Sequence, residues 1–447
     1  MVCRSGTLPR LRRWLLVLAV VLLSVPAQAG AGTLYVVDGR GWGHGVGMSQ
    51  WGALGYAEAG WGHERILEHY YPETELRVVP ARPVRVLLAE RLFAVRIGSS
   101  KPFRLVDGRG KARRLKPGTQ NVVAAKLNGL RLPLRYVPGG APLQLDGKAY
   151  RGELIVHPEA GKLTIVNLLP LDRYLRGVVP REVPDDWPRE ALRAQAVVTR
   201  TYALATLKPG ALFDLYADQR SQVYGGIAAE ADSTNRAVGS TAGRVLYWNG
   251  RIATTYYHST SGGKTVAVEE VWPQSTPVPY LVSVADPYDH LSRFHRWKPT
   301  GWTPAALGRK LGVGVVRDLL VSRGPSGRVI EVTIESWSGS RTMVSEDFQA
   351  ALGLRSTWFA VRVLSLEQPQ GRSLAVAGRS VVLKGFVRGL GKVRLEQQVN
   401  GGTWTTVRRV RLRRDGRFTV TVAPRRETSY RLATPLGAGA AITVKPR

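Results

Sequence analysis

The sequence nearly lacks cysteine. Its 447 residues contain one, Cys3, which excludes a disulfide framework and a cysteine-built zinc site. Histidine is sparse too, with seven, and no His-Glu-x-x-His stretch sets two ligands on one helix face. A Gly-x-Ser-x-Gly elbow is missing, and so is the Gly-Lys-Ser/Thr of a phosphate loop. Beyond the first thirty residues no apolar run is long enough for a membrane-spanning helix. Acidic residues are few: 33 against 64 Lys and Arg, for a net charge of +31. That balance predicts a polyanionic partner, whether nucleic acid, anionic membrane or acidic cell wall. Hydrophobic residues reach 44%, so global disorder is excluded despite 49 Gly and 27 Pro. The length suits roughly three domains.

The N-terminus reads as an address. Arg4, Arg10, Arg12 and Arg13 precede an uncharged run from Trp14 to Val25, and Ala27-Gln28-Ala29 follows. A basic stretch, a short apolar core and a small-x-small site describe a secretory signal peptide over residues 1–29. The alternative is an uncleaved anchor. Cys3 lies ahead of the apolar run, badly placed for lipid attachment. A secreted or periplasmic, wall-associated location removes nucleic acid from the expected partners and leaves envelope polyanions.

Coarse patterning predicts an α+β chain. Residues 30–76 hold a strand, a glycine cluster and helical patterning from Ser49 to Tyr71. Residues 77–166 read as short strands separated by Asp107-Gly108, Asn128-Gly129 and Asp146-Gly147 turns. Residues 167–365 are mixed, with a helix expected over Pro188–Leu204. Residues 367–447 alternate like a small immunoglobulin-like β-sandwich. That segment carries 17 basic and 4 acidic residues. Its Arg408-Arg409-x-Arg411-x-Arg413-Arg414 run is expected to line one strand face and to hold anionic wall polymers.

Three constellations carry chemistry. In Gly39-Arg40-Gly41-Trp42-Gly43-His44-Gly45-Val46-Gly47-Met48-Ser49-Gln50-Trp51, five of the first nine residues are glycine. Such density lets backbone approach a ligand closely. The dinucleotide spacing is not met, which leaves a structural turn or a loop presenting His44, Ser49 and Gln50 between Trp42 and Trp51, a combination suited to sugars. In Val178-Val179-Pro180-Arg181-Glu182-Val183-Pro184, Glu182 is a lone carboxylate among apolar neighbours. Burial there raises its pKa and fits it for proton transfer near neutrality. The competing reading is a surface Glu paired with Arg181 or Arg176. On the following helix Gln195 and Thr199 share a face, either as an active-site floor or as a polar stripe. In Tyr256-Tyr257-His258-Ser259-Thr260-Ser261-Gly262-Gly263, a strand ends in a polar turn. His258 and Ser259 alternate sides, which argues against a serine nucleophile.

These stretches, together with Ser221-Gln222-Val223-Tyr224-Gly225-Gly226 and Pro279-Tyr280-Leu281-Val282-Ser283-Val284-Ala285-Asp286-Pro287-Tyr288-Asp289, resemble the stage II sporulation protein D and amidase-enhancer (LytB-type) wall proteins. The resemblance covers roughly residues 33–365. In the usual family order the glycine-histidine motif comes last; here it comes first, like a circular permutation, which implies that His44 and Gln50 approach Glu182 in space. The family's best-studied members are lytic transglycosylases acting on peptidoglycan glycan strands, preferably stripped of peptides. The resemblance implies that Glu182 is the catalytic acid and that His44, Ser49, Gln50, Gln195, Tyr257, Ser259 and Ser261 contact substrate. Some members carry zinc ligands before Gln-Val-Tyr-Gly-Gly. Asp214–Ser221 offers neither Cys nor His, so no metal and no cofactor are expected. The alternative function is a non-catalytic glycan-binding module that stimulates a cell-wall amidase.

Overall fold

The computed structural model describes residues 32–127, 131–208, 210–369 and 377–446. The expected signal peptide, Cys3 and the expected Asn128-Gly129 turn lie outside them. The fold is α+β, 21% helical and 40% strand. The chain divides into two compact units, Tyr35–Arg362 and a smaller one built from Val363–Arg447 with the segment up to Leu34.

In the larger unit, one seven-stranded sheet has the order Leu215–Tyr216, Pro83–Leu92, Lys162–Pro170, Glu153–Glu159, Leu134–Val137, Phe103–Val106 and Ala112–Leu115. Its central hairpin pairs Glu159 with Lys162 around Ala160 and Gly161, both at positive φ. That is the turn geometry matching strand twist. A second sheet pairs Lys148–Tyr150, Leu143–Leu145, Ala94–Ser99 and Gly118–Val123, closed at Asp146-Gly147 by the same device. Val122–Leu127 does not continue as the strand its apolar pattern suggests: the strand stops at Val123 and a 3-10 turn, Ala124–Lys126, follows.

The helix Arg189–Ala205 joins two cores. Leu192, Ala196, Ala203 and Leu204 pack with the sheets, beside Tyr174, Leu175 and Val178. Ala194, Val197 and Val198 pack with Met48, Tyr70, Tyr71 and Leu246 on another side. Alanine and valine let both layers approach the backbone closely. Buried Arg200 secures the helix: its Nε donates to Asp172 at 2.9 Å and its Nη2 to the Val238 carbonyl at 3.1 Å.

The helical pattern over Ser49–Tyr71 resolves into two helices, Gln50–Glu58 and His63–Tyr70. They break where Gly60 takes φ +85°.

In the smaller unit, Val381–Arg388 pairs antiparallel with Arg417–Val422, while Arg394–Val399 pairs with Thr405–Arg409 and Thr428–Thr434. Leu383, Val387, Leu395, Phe418, Tyr430 and Leu432 form its core. Here the expected arginine-lined strand face is not seen. The strand ends at Arg409, Val410 turns into the core, and Arg411, Arg413 and Arg414 project from the loop beyond it.

Candidate active-site cleft

Two short strands, Met48–Ser49 and Tyr257–His258, pair in parallel. Isolated bridges join Trp42 to Thr260 and Val46 to Val266. The Tyr71 hydroxyl clamps the pair, donating to the Tyr256 carbonyl at 2.6 Å and accepting from the Met48 N–H at 3.1 Å. Motifs some two hundred residues apart are thereby laid side by side.

The junction requires glycine at Gly47. Its φ is +69°, and a Cβ there would sit 2.1 Å from the Tyr256 carbonyl oxygen, a backbone atom that cannot yield. Gly60 also has positive φ but faces open space. Gly60→Ala should cost about 1 kcal/mol, the left-handed backbone penalty. Gly47→Ala should cost about 4 kcal/mol or more, since steric conflict adds to it. Urea unfolding of the two variants checks this; equal losses would contradict the packing described.

A cleft of about 490 Å³ opens beside this junction. His44, Glu182, Tyr257, Gln222, Arg181 and Val223 line it, with an aromatic wall of Tyr202, Tyr256 and Trp272. Tyr256 and Trp272 stand 4.8 Å apart, and His44 lies 5.3 Å from Trp272.

Glu182 ends the short helix Val179–Glu182. The Pro-Arg-Glu-Val-Pro composition stops the helix there, because Val183 precedes Pro184 and takes an extended backbone. Glu182 is half-buried and makes no ion pair with any described residue; Arg181 is exposed and packs its stem near Gly225. Burial raises the Glu182 pKa, and the nearby Val223 N–H and Tyr257 hydroxyl oppose that rise. Tyr257 is in turn held by Gln222, whose Nε2 donates to its oxygen at 3.3 Å and to the Thr199 carbonyl at 3.2 Å. The Tyr174 hydroxyl donates to Gln222 Oε1 at 3.3 Å. This chain holds the Tyr257 hydroxyl in the cleft that Glu182 lines.

His44 is neutral. Burial, then the nearby Arg328 charge, lowers its pKa to about 4. Its Nδ1 accepts from the Val46 N–H at 3.0 Å, so the ring proton resides on Nε2.

The other sequence-derived residues sit elsewhere. Ser49 is buried and caps the helix Gln50–Glu58, accepting from the Gly52 N–H at 3.1 Å. Gln50 and Gln195 are buried outside the cleft lining, and Gln195 Nε2 donates to Thr199 Oγ1 at 3.0 Å. Ser261 is fully buried and donates to Asp289 at 3.0 Å. Ser259 is half-buried and contacts Thr260 Oγ1 at 3.3 Å. His258 donates from Nδ1 to the Val46 carbonyl at 3.2 Å and makes no bond to Ser259. Trp42 stacks edge-on with Phe294 at 4.6 Å, and Trp51 with Trp187 at 5.3 Å. Neither lines the cleft. Gln222, Val223, Tyr202, Tyr256 and Trp272 line the cleft without a site role expected from the sequence, although Gln222, Val223 and Tyr256 stand within its motifs. Asp214 is engaged by Arg85, whose Nη2 donates at 2.7 Å. Among the described residues no group of three or more His, Cys, Asp or Glu is placed to hold a metal.

Residues 159–248 match the family model described as Stage II sporulation protein (SpoIID). The chain is 38% identical over 195 residues to the Amidase enhancer of Bacillus subtilis (strain 168), covering 42% of this chain and 26% of that protein. It is 28% identical over 215 residues to Stage II sporulation protein D of the same organism, covering 43% and 61% respectively. An uncharacterized protein of Brachyspira hyodysenteriae (strain ATCC 49526 / WA1) is 37% identical over 143 residues, 38% of its length. The chain thus spans between about a quarter and three-fifths of these curated relatives. No solved structure matches.

Proposed function

We propose that this chain, whose residues 159–248 match the SpoIID family model, cleaves peptidoglycan glycan strands as a lytic transglycosylase outside the cytoplasmic membrane. The observation that carries the reading is the cleft's single carboxylate. Glu182 is the only acid among its lining residues. Hydrolysis by paired carboxylates needs a second one across the bond, as nucleophile or to activate water. A muramic acid residue supplies its own nucleophile, and one acid/base then suffices. Protonated Glu182 gives its proton to the glycosidic oxygen as the C1–O bond breaks. The C6 hydroxyl oxygen closes on C1 and returns its proton to Glu182, leaving a 1,6-anhydro end. A raised pKa keeps a usable fraction of Glu182 protonated near neutrality. Tyr202, Tyr256 and Trp272 offer ring faces for sugar planes.

A second reading draws on the name of the 38% identical relative, Amidase enhancer: a module that binds glycan and stimulates a partner amidase. Mass spectrometry of intact and peptide-stripped peptidoglycan separates the two. New 1,6-anhydro ends are expected with the protein present. Binding without cleavage of either substrate would replace the first reading by the second, and free reducing ends would mean hydrolysis.

A further inference from the structure

A second cleft, of about 360 Å³, lies in the larger unit away from Glu182 and shares no lining residue with the first. Arg40, Arg296, Arg323 and Arg362 line it, with Asp38 and Trp358. Arg362 is committed to Asp38, its Nη2 donating at 2.9 Å and its Nε also donating. The other three arginines have no acidic partner within ion-pair distance among the described residues. Arg40 and Arg323 are nevertheless held in place, while Arg296 is exposed. The Arg40 guanidinium lies 3.9 Å over the Trp358 ring, a cation–π contact that fixes its plane. Its backbone N–H donates to the Trp358 carbonyl at 3.0 Å, and its own carbonyl accepts from Ser356 Oγ at 2.6 Å. Arg323 donates from Nη1 to the Gly327 carbonyl and from Nη2 to the Phe359 carbonyl, each at 2.8 Å. These neutral acceptors orient the fork without cancelling its charge. Burial, then the charge of Arg296, lowers the Arg40 pKa: the group is fixed among like charges at an electrostatic cost.

We propose that this cleft binds a phosphate group through Arg40, Arg296 and Arg323. Guanidinium forks match oxyanions bidentately. Three of them converging on one cleft suit a tetrahedral anion with several free oxygens better than a planar carboxylate with two. The phosphate is either free or part of a polyol-phosphate polymer, and the site stands independently of the chemistry at Glu182.

The test is calorimetric titration of the full chain with inorganic phosphate, against acetate at equal ionic strength. Wild type is expected to bind phosphate with a Kd of about 1 mM or tighter and acetate at least tenfold more weakly. Arg40→Gln/Arg323→Gln should weaken phosphate binding at least tenfold. Arg113→Gln/Arg114→Gln removes the same charge from the exposed strand Ala112–Leu115 and should leave it within twofold. Should the first pair disturb unfolding, Arg296→Gln at an exposed side chain provides the same comparison. Equal loss in both double variants, or phosphate bound no better than acetate, overturns the proposal. Titration with poly(glycerol phosphate) then identifies the source: tighter binding per phosphate than the inorganic ion indicates the polymer, and weaker binding indicates the free ion.

Discussion

Glu182→Gln is expected to reduce formation of 1,6-anhydro ends by about two to four orders of magnitude, the usual span for losing a general acid/base. The amide keeps the shape of the carboxyl group but cannot pass a proton to the glycosidic oxygen or accept one from the C6 hydroxyl. Folding should not suffer. Burial raises the Glu182 pKa above the ordinary 4.5, so the folded state favours the protonated form. Its contribution to stability is full below the unfolded value and is lost as pH rises through the folded value. Gln removes that loss, so the variant should match wild type in acid and equal or exceed it at pH 8. Single-turnover cleavage and urea unfolding at both pH values measure the two effects. A variant within tenfold of wild-type cleavage would remove Glu182 from the chemistry.

The second large effect concerns a carboxyl group that touches no substrate. Asp286 is buried against Gly52 of the helix Gln50–Glu58. The Tyr70 hydroxyl donates to its Oδ1 at 2.9 Å, while Oδ2 has no partner. Asp289 lies nearby, bonded to Ser261 and the Gly262 N–H and, at 2.7 Å, to His295 Nδ1. Desolvation first, then the charge of Asp289, pushes the Asp286 pKa up to about 7 from 3.8, with the nearby hydroxyl groups, Tyr70 among them, opposing the rise. The unfolded chain releases this proton near pH 4 and the folded chain holds it to about pH 7. Stability therefore declines with rising pH across that window, by roughly 3 kcal/mol between pH 5 and pH 8. Asp286→Asn preserves an acceptor for Tyr70 and abolishes the titration. The expected result is that wild type loses about 3 kcal/mol relative to the variant over that interval. Parallel stability curves would show that Asp286 is already ionised at pH 5.

Local patterns in the sequence reveal much of this architecture. Pro188 followed by an alanine-rich amphipathic stretch predicts a helix over Pro188–Leu204, and the helix runs Arg189–Ala205. The Asp146-Gly147 dipeptide predicts a tight turn, and both residues take positive φ. These features depend on neighbours in the chain. The cleft does not. Gln222 matters because Tyr174, Thr199 and Tyr257 converge on it, and no local pattern records such a meeting. Ser49 and Ser261 show the opposite case. Both stand in polar, glycine-rich motifs that resemble binding loops, but the same hydroxyl groups satisfy buried backbone donors, Gly52 N–H and Gly263 N–H. Whether a serine faces ligand or closes an internal hydrogen bond is decided by packing from distant segments.

The helix Arg189–Ala205 offers almost no side to solvent, because each face belongs to a different core. A substitution there must satisfy two neighbourhoods at once. Enlarging Ala194 strains one layer, enlarging Ala196 strains the other, and trimming Val197 opens a void. The helix therefore has little room for evolutionary drift, whereas strands packed on one face can exchange side chains more freely. Residues 159–248, which match the family model, contain this helix from end to end. Two cores jointly restrict the side chains this segment can hold.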